Sequence, residues 1–205
     1  MGVREDIIII GSGGLGREIA SLFVHPNLKE KYNFLGFIDD YKDKGSLVNG
    51  QKVLGGIEWL IEEKPCTYII IGFSHLQNRL ELINRLQNLS FLFPTIIHPD
   101  AILIDPTHIK IGSGSIIFPY AILTTNITVG KNVIVHIGAK IHHDTVINDN
   151  CILMPNVAIT GGATIGNNVF LGTGTICPAP ITILDNGVVP AGSVVLIGDV
   201  KVNQA

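Results

Sequence analysis

From Ile111 to Val195 an apolar residue returns at every sixth position: Ile111, Ile117, Leu123, Val129, Val135, Ile141, Ile147, Leu153, Ile159, Ile165, Leu171, Cys177, Ile183, Val189, Val195. Fourteen of these fifteen are Ile, Leu or Val and the other is Cys, a regularity that an unpatterned sequence does not produce. The residue four places further on is usually small or β-branched, as at Ser115, Ala121, Ile127, Val133, Ala139, Thr145, Cys151, Val157 and Ala163. A strict period of six does not follow the 3.6-residue repeat, so amphipathic helices are excluded. A period of eighteen lies over the first: the strings IGSG, VGKN, INDN and IGNN place Gly112, Gly130, Asn148 and Gly166 at equal intervals. Gly and Asn tolerate left-handed backbone, which predicts one tight corner per eighteen residues. Three six-residue sides closing a triangular coil satisfy both periods, with the first-position aliphatics stacked coil on coil. The expectation is a parallel β-helix of about five coils between residues 111 and 200.

Residues 1–98 follow another pattern. Asp6–Ile10 reads as a buried strand, GSGGLG follows at 11–16, and a helical stretch runs from Arg17 to about His25. Phe34–Ile38 is a second strand, residues 41–52 an irregular loop, and Ile57–Glu63 a short helix. Tyr68–Ile71 is apolar, and Leu76, Leu80, Ile83 and Leu86 lie at helical spacing within 75–89. Phe91–Ile97 closes the unit, with Pro94 at an edge or interrupting the strand. Alternating strands and helices imply a parallel sheet, too small for a complete dinucleotide fold. A nicotinamide dehydrogenase is disfavoured on that ground.

Composition narrows the function classes. The chain has 205 residues and a net charge of −3, without a basic block, which argues against nucleic acid or an anionic membrane surface as partner. Its three cysteines, Cys66, Cys151 and Cys177, show no metal spacing and read as buried reduced thiols, consistent with a cytoplasmic protein. Neither a signal peptide nor an apolar run of ~20 residues is present, so no membrane insertion is expected.

The repeat tract resembles the hexapeptide acyltransferase superfamily, whose β-helix is left-handed against the usual crossover rule. With the GSGGLG domain in front, the chain is similar to the branch holding sialic acid O-acetyltransferases and nucleotide-linked amino-sugar N-acetyltransferases of bacterial glycan synthesis. The telling strings are HHDTVIND at 142–149 and ITGGATIGNNVFLGTGT at 159–175. The fold implied is a Rossmann-like nucleotide- and sugar-binding domain at 1–98 and a left-handed β-helix acyltransferase domain at 99–205. The resemblance also implies acetyl-CoA as acyl donor, a sugar or nucleotide-sugar acceptor, no metal, and a homotrimer with active sites at subunit interfaces. Alternatives are O-acylation of a free sialic acid and a non-catalytic, nucleotide-sensing scaffold.

Acyl transfer from a thioester needs a proton removed from the attacking amine or hydroxyl, and imidazole, with an ordinary pKa near ~6.5, does this near neutrality. His143 is the candidate base and Asp144 the carboxylate that orients it. Neighbours on a strand point to opposite sides, so their contact requires a corner or bulge. The alternative is that His143 is an ordinary exposed residue. Gly161 stands eighteen residues beyond His143, one coil away, where its amide can serve an oxyanion. The resemblance assigns that role to the matching glycine, and substrate contacts to Gly14, Leu15, Gly16, Asp39, Asp40 and Gly72. It places the CoA arm near Thr173 and Ala191, and puts Ile152 where some relatives carry a second histidine near the donor. A Pro-Ala-Lys ending usual in the family is absent from VVLIGDVKVNQA, which puts part of the CoA groove in question. A three-histidine zinc site is disfavoured, because His136 stacks on Phe118 and Met154, and His142 on Thr124 and Thr160. His25, His75, His98 and His108 read as surface or loop residues.

Overall fold

The computed structural model describes residues 3–64, 66–178 and 180–195. The chain forms two units, residues 1–94 and 95–205. In the first, strand β1 (Glu5–Ile10) lies between β2 (Tyr32–Ile38) and β5 (Tyr68–Ile71), parallel to both. Being central, it buries Ile7, Ile8, Ile9 and Ile10 on both faces. Helix α1 (Gly14–Leu22) starts inside the glycine-rich string rather than after it. The helical run then breaks, and α2 (Pro26–Lys31) begins anew with Pro26, whose fixed φ suits a first turn, and with the His25 ring as its cap.

The segment expected to be an irregular loop contains a hairpin, β3 (Leu47–Val48) with β4 (Gln51–Gly55). Asn49 and Gly50 close it at φ 49° and 78°, the chemistry of a two-residue turn. β4 then pairs parallel with β2, giving the order β3-β4-β2-β1-β5. Helices α3 (Ile57–Glu63) and α4 (Leu76–Leu86) follow, and Leu60, Ile69 and Leu86 meet in one core with Ile8 and Ile38.

The boundary differs from residue 98. Leu92 still bridges Tyr68, but Pro94 interrupts the strand and Ile96–Ile97 pairs with Ile116–Ile117 in the second unit. That unit is a left-handed β-helix of three parallel sheets, with strands of two or three residues. Register is one coil per eighteen residues: Ile122 pairs with Lys140, Ile134 with Ile152, and Val146 with Thr164. The helix starts about fifteen residues before 111. Its first coil escaped the six-residue reading because Leu103 and Ile111 are eight apart, the extra two residues forming a turn at Pro106–His108. Both inward positions are packed: the hexad residues and those two places before them, from Ala121 to Val169, are buried in one continuous core. The described coils end at Val195, so the family ending and the limit at residue 200 lie outside the described residues.

The corners correct the expected role of the glycines. Left-handed backbone recurs at intervals of six, with Pro180 the one place passed over, at Gly114, Tyr120, Asn126, Asn132, Gly138, Asp144, Asn150, Asn156, Gly162, Asn168, Gly174, Asn186 and Gly192. Gly112, Gly130 and Gly166 are not among them. They are glycine because coils approach closely there: a Cβ on Gly112 would lie 2.5 Å from the Gly130 carbonyl oxygen, and one on Gly166 2.6 Å from the Asp185 amide nitrogen.

Candidate active site

His143 and Asp144 form one such corner. Asp144 adopts φ 57°, which turns its carboxylate back toward the preceding ring, and Oδ2 lies 2.8 Å from His143 Nδ1. The contact that a straight strand forbids is thus made by the corner itself. Asn126, at the same corner one coil earlier, donates from Nδ2 to Asp144 Oδ1 at 3.1 Å. Hydrogen bonds from His143 and Asn126 hold the Asp144 carboxyl below the usual carboxylate range. Fixed by this acceptor, the ring carries its proton on Nδ1 and leaves the Nε2 lone pair for a substrate proton.

Gly161 lies against the imidazole. A Cβ there would be 2.3 Å from His143 Cε1 and 2.4 Å from Nε2, so only glycine admits the ring in this position. The Gly162 amide donates to the His143 carbonyl at 2.9 Å, whereas the Gly161 amide has no partner among the described residues. A lone-pair base and an unspent N–H therefore sit side by side, the pairing that attack on a thioester carbonyl requires.

Thr173 and Ala191 are exposed and stack at the preceding corner, where Gly192 N–H donates to Thr173 O at 2.8 Å. The sheet face holding Ala158 and Ile176 runs from their corner to that of His143. Ile152 is elsewhere: it is fully buried in the neighbouring sheet, between Ile134 and Phe170.

In the first unit, a cleft of about 570 Å³ opens at the ends of the parallel strands, lined by Gly11–Gly13, Asp39, Asp40, Ile57, Phe73 and one side of α4. Gly11–Gly13 line it rather than Gly14, Leu15 and Gly16, which already belong to α1. Gly16 and Gly72 instead permit close packing: a Cβ on Gly16 would lie 2.0 Å from Gly11 O, and one on Gly72 2.8 Å from Gly16 Cα. Asp39 takes the Ser12 amide at 3.0 Å and the Ser12 hydroxyl on Oδ2, and the Tyr41 amide at 3.0 Å on Oδ1. Burial pushes its carboxyl up, but these hydrogen bonds and nearby Lys42 outweigh that and leave it lowered. Lys42 Nζ donates to Ser12 Oγ at 2.7 Å, bringing a cation to the glycine loop. Asp40 accepts the Ile57 amide at 2.7 Å and so caps α3. Arg79 is buried, its Nη1 donating to the carbonyls of Ile71 and Phe73 at 3.0 Å each, which shapes the cleft wall.

Sequence reasoning missed Asn126, Ser12, Lys42 and the cleft wall on α4. Asn126 was within reach, since it stands eighteen residues before Asp144. Ser12 and Lys42 carry no spacing signal, because a loop brings them together. Of the histidines read as loop residues, His25 and His75 cap helices, His98 is buried, and His108 joins Asp105. His136 stacks on Phe118 with ring centroids 4.2 Å apart, and Cys151 and Cys177 point into the core. Among the described residues no three His, Cys, Asp or Glu side chains converge as a metal site, and no helix is long and apolar enough to cross a membrane.

Comparison with known proteins agrees with this division. Residues 6–86 match the PglD N-terminal domain, and residues 144–179 match the bacterial transferase hexapeptide model of six repeats. A GDP-perosamine N-acetyltransferase from Escherichia coli O157:H7 is 27% identical over 193 residues, covering 93% of this chain and 77% of that protein. WeeI from Acinetobacter baumannii AYE superposes with a TM-score of 0.82 at 27% identity, over 95% of this chain and 93% of that one. A mutant perosamine N-acetyltransferase from Caulobacter crescentus, in complex with CoA and GDP-perosamine, superposes with a TM-score of 0.81 at 23% identity, over 93% and 88% of the two chains. The chain thus joins a PglD-type N-terminal domain to the repeats of the bacterial transferase hexapeptide family, and over nearly its whole length it is similar to sugar N-acetyltransferases.

Proposed function

We propose that the protein transfers the acetyl group of acetyl-CoA to the amine of a nucleotide-linked amino sugar in bacterial glycan synthesis. The observation that carries this is the His143–Asp144 pair set against Gly161. His143 Nε2 takes a proton from the amine as its nitrogen attacks the thioester carbonyl, and Asp144 stabilises the imidazolium that forms. The Gly161 N–H receives the oxyanion. Collapse of the intermediate expels the CoA thiolate, which recovers the proton from the imidazolium. The exposed stretch with Thr173, Ala191 and Ile176 suits the pantetheine arm of the donor, with no role for Ile152. Support for the acceptor comes from the relatives named for GDP-perosamine and from the cleft at the glycine loop, where Lys42, bonded to the lining residue Ser12, brings a cation suited to a diphosphate. The same reading takes the protein as a homotrimer with active sites at subunit interfaces, working in the cytoplasm, where acetyl-CoA is supplied.

The test is steady-state transfer with purified protein. His143→Ala should leave acetyl-CoA binding intact and lower kcat by ~10²–10⁴-fold, the usual contribution of a positioned base. Asp144→Asn should cost less, and the exposed neighbour variant His142→Ala should keep most activity. Retention of more than about a tenth of kcat in His143→Ala overturns the assignment.

A further inference from the structure

A second histidine–carboxylate pair stands on the same edge of the β-helix. Asp105 opens the three-residue turn Pro106–His108, yet its carboxylate caps no backbone amide there. It collects side-chain donors instead: His108 Nδ1 at 2.8 Å and Thr125 Oγ1 at 2.7 Å on Oδ2, and Thr107 Oγ1 at 2.7 Å on Oδ1. A carboxylate used this way aims a ring rather than closing a turn.

The construction repeats that of the base. Both pairs have Nδ1···Oδ2 at 2.8 Å, and the two imidazole side chains are 63% and 62% exposed. Each acid takes a second donor from the same corner, Thr125 for Asp105 and Asn126 for Asp144. Ile109 pairs with Ile127, and Thr128 with Val146, so His108, Asn126 and Asp144 occupy one corner in successive coils. Thr125 braces both pairs, its hydroxyl donating to Asp105 and its carbonyl accepting the Asp144 amide at 3.2 Å. Two coil steps separate His108 from the base by roughly 10 Å along the axis. No described residue takes the Nε2 of His108.

We propose that His108 is a binding residue for the acceptor, its Nε2–H donating to a phosphate oxygen while His143 faces the reacting amine; this rests on the function proposed above. In a nucleotide-linked amino sugar the first anionic group beyond the pyranose is a phosphate, separated from the amine by the ring and the glycosidic oxygen. With its Nδ1–H tied to Asp105 the ring donates from Nε2 only as the imidazolium, the form that an anion set against Nε2 itself favours, and it then offers one directed, charge-assisted donor at such a distance.

The experiment compares wild type, His108→Ala, His108→Gln and Thr107→Val on GDP- and UDP-linked amino sugars, on the same sugars as 1-phosphates, and on the free sugars. His108→Ala should raise KM about tenfold for the phosphate-bearing acceptors, as expected for loss of one charge-assisted hydrogen bond. The KM for free sugars and for acetyl-CoA should stay within twofold, and kcat should change less than KM. Thr107→Val, which takes a hydroxyl from Asp105 and from its place 3.0 Å from His108 Nδ1 but keeps the ring, should raise the same KM values less than His108→Ala and leave those of the free sugars in place. Should His108→Ala fail to fold by thermal melting, His108→Gln is judged by the same criteria. An unchanged KM, or an equal rise for free and phosphorylated sugars, overturns the phosphate contact. If that happens while His143→Ala still abolishes transfer, only the His108 assignment falls. If wild type and His143→Ala transfer equally, both fall.

Discussion

Whether His143 can act depends on one backbone angle and one missing atom. In extended chain its ring and the Asp144 carboxylate would face opposite ways. At φ 57° they meet at 2.8 Å. The missing atom is the Cβ of Gly161, which the imidazole excludes at 2.3 Å. Gly161→Ala should therefore act as an active-site mutation rather than a folding mutation. The neighbour that must move is the end of a side chain, so the ring swings aside and loses Asp144. A displacement of about an ångström costs on the order of 10²-fold in rate, and kcat should fall by that order with a melting temperature close to wild type. A large loss of melting temperature, or unaltered kcat, would contradict the packing described.

At the scale of the repeating element, each corner needs a left-handed residue and a polar stack to hold coils in register. Asn150 supplies both: it has φ 61°, accepts from Asn132 Nδ2 at 3.3 Å and donates to Asn168 Oδ1 at 3.1 Å. The ladder continues from Asn168 to Asn186 at 3.0 Å. Asn150→Ala loses two hydrogen bonds, worth about 1 kcal/mol each, and adds a left-handed penalty of about 1 kcal/mol, so destabilisation near 3 kcal/mol is expected. Asn150→Gly avoids the penalty and should cost about 2 kcal/mol. Urea unfolding of the two variants separates the terms, and equal losses would mean that the backbone angle carries no strain.

For the whole molecule, the groups that shift on folding bound the pH range of stability from both sides. His108, Thr107 and Thr125 hold the Asp105 carboxyl at about 2, below its ordinary ~3.9, and Asp144 is lowered too. Their contribution is complete above about pH 4 and is lost as pH falls through the folded values. Burial pushes the Cys151 thiol up to about 12 and the Cys177 thiol to about 11, so the native state favours the neutral form. Their contribution is complete below the ordinary value of ~8.5 and is lost as pH rises toward 11 and 12. Melting temperature should be flat from about pH 5 to 8 and fall on both sides. Asp105→Asn should flatten part of the acid limb, and Cys151→Ala part of the alkaline one; limbs identical to wild type would refute these sources.

The β-helix could be read from sequence because its periodicity is local and repeated: inward positions recur at six, and a side chain's stacking partner is the residue eighteen away. The stacking of Gly161 on His143 and the inward place of Cys151 followed from that arithmetic, and Asn126 was available to it. The central strands and most helices of the first unit were likewise written in apolar runs and helical spacing, and even the overlooked Asn49-Gly50 hairpin was marked by its turn residues. What tertiary structure alone decided lies where the rule is broken or has no period. The first coil hid behind two extra residues, and His108 with it. Gly112, Gly130 and Gly166 looked like corners but answer to the distance between coils, which sequence spacing does not encode. Asp39 and Asp40 are spent on Ser12, Tyr41 and the start of α3, because a loop folds them back onto backbone amides. Hydrogen bonds across such loops depend on chain path rather than residue type, and only the folded chain determines them.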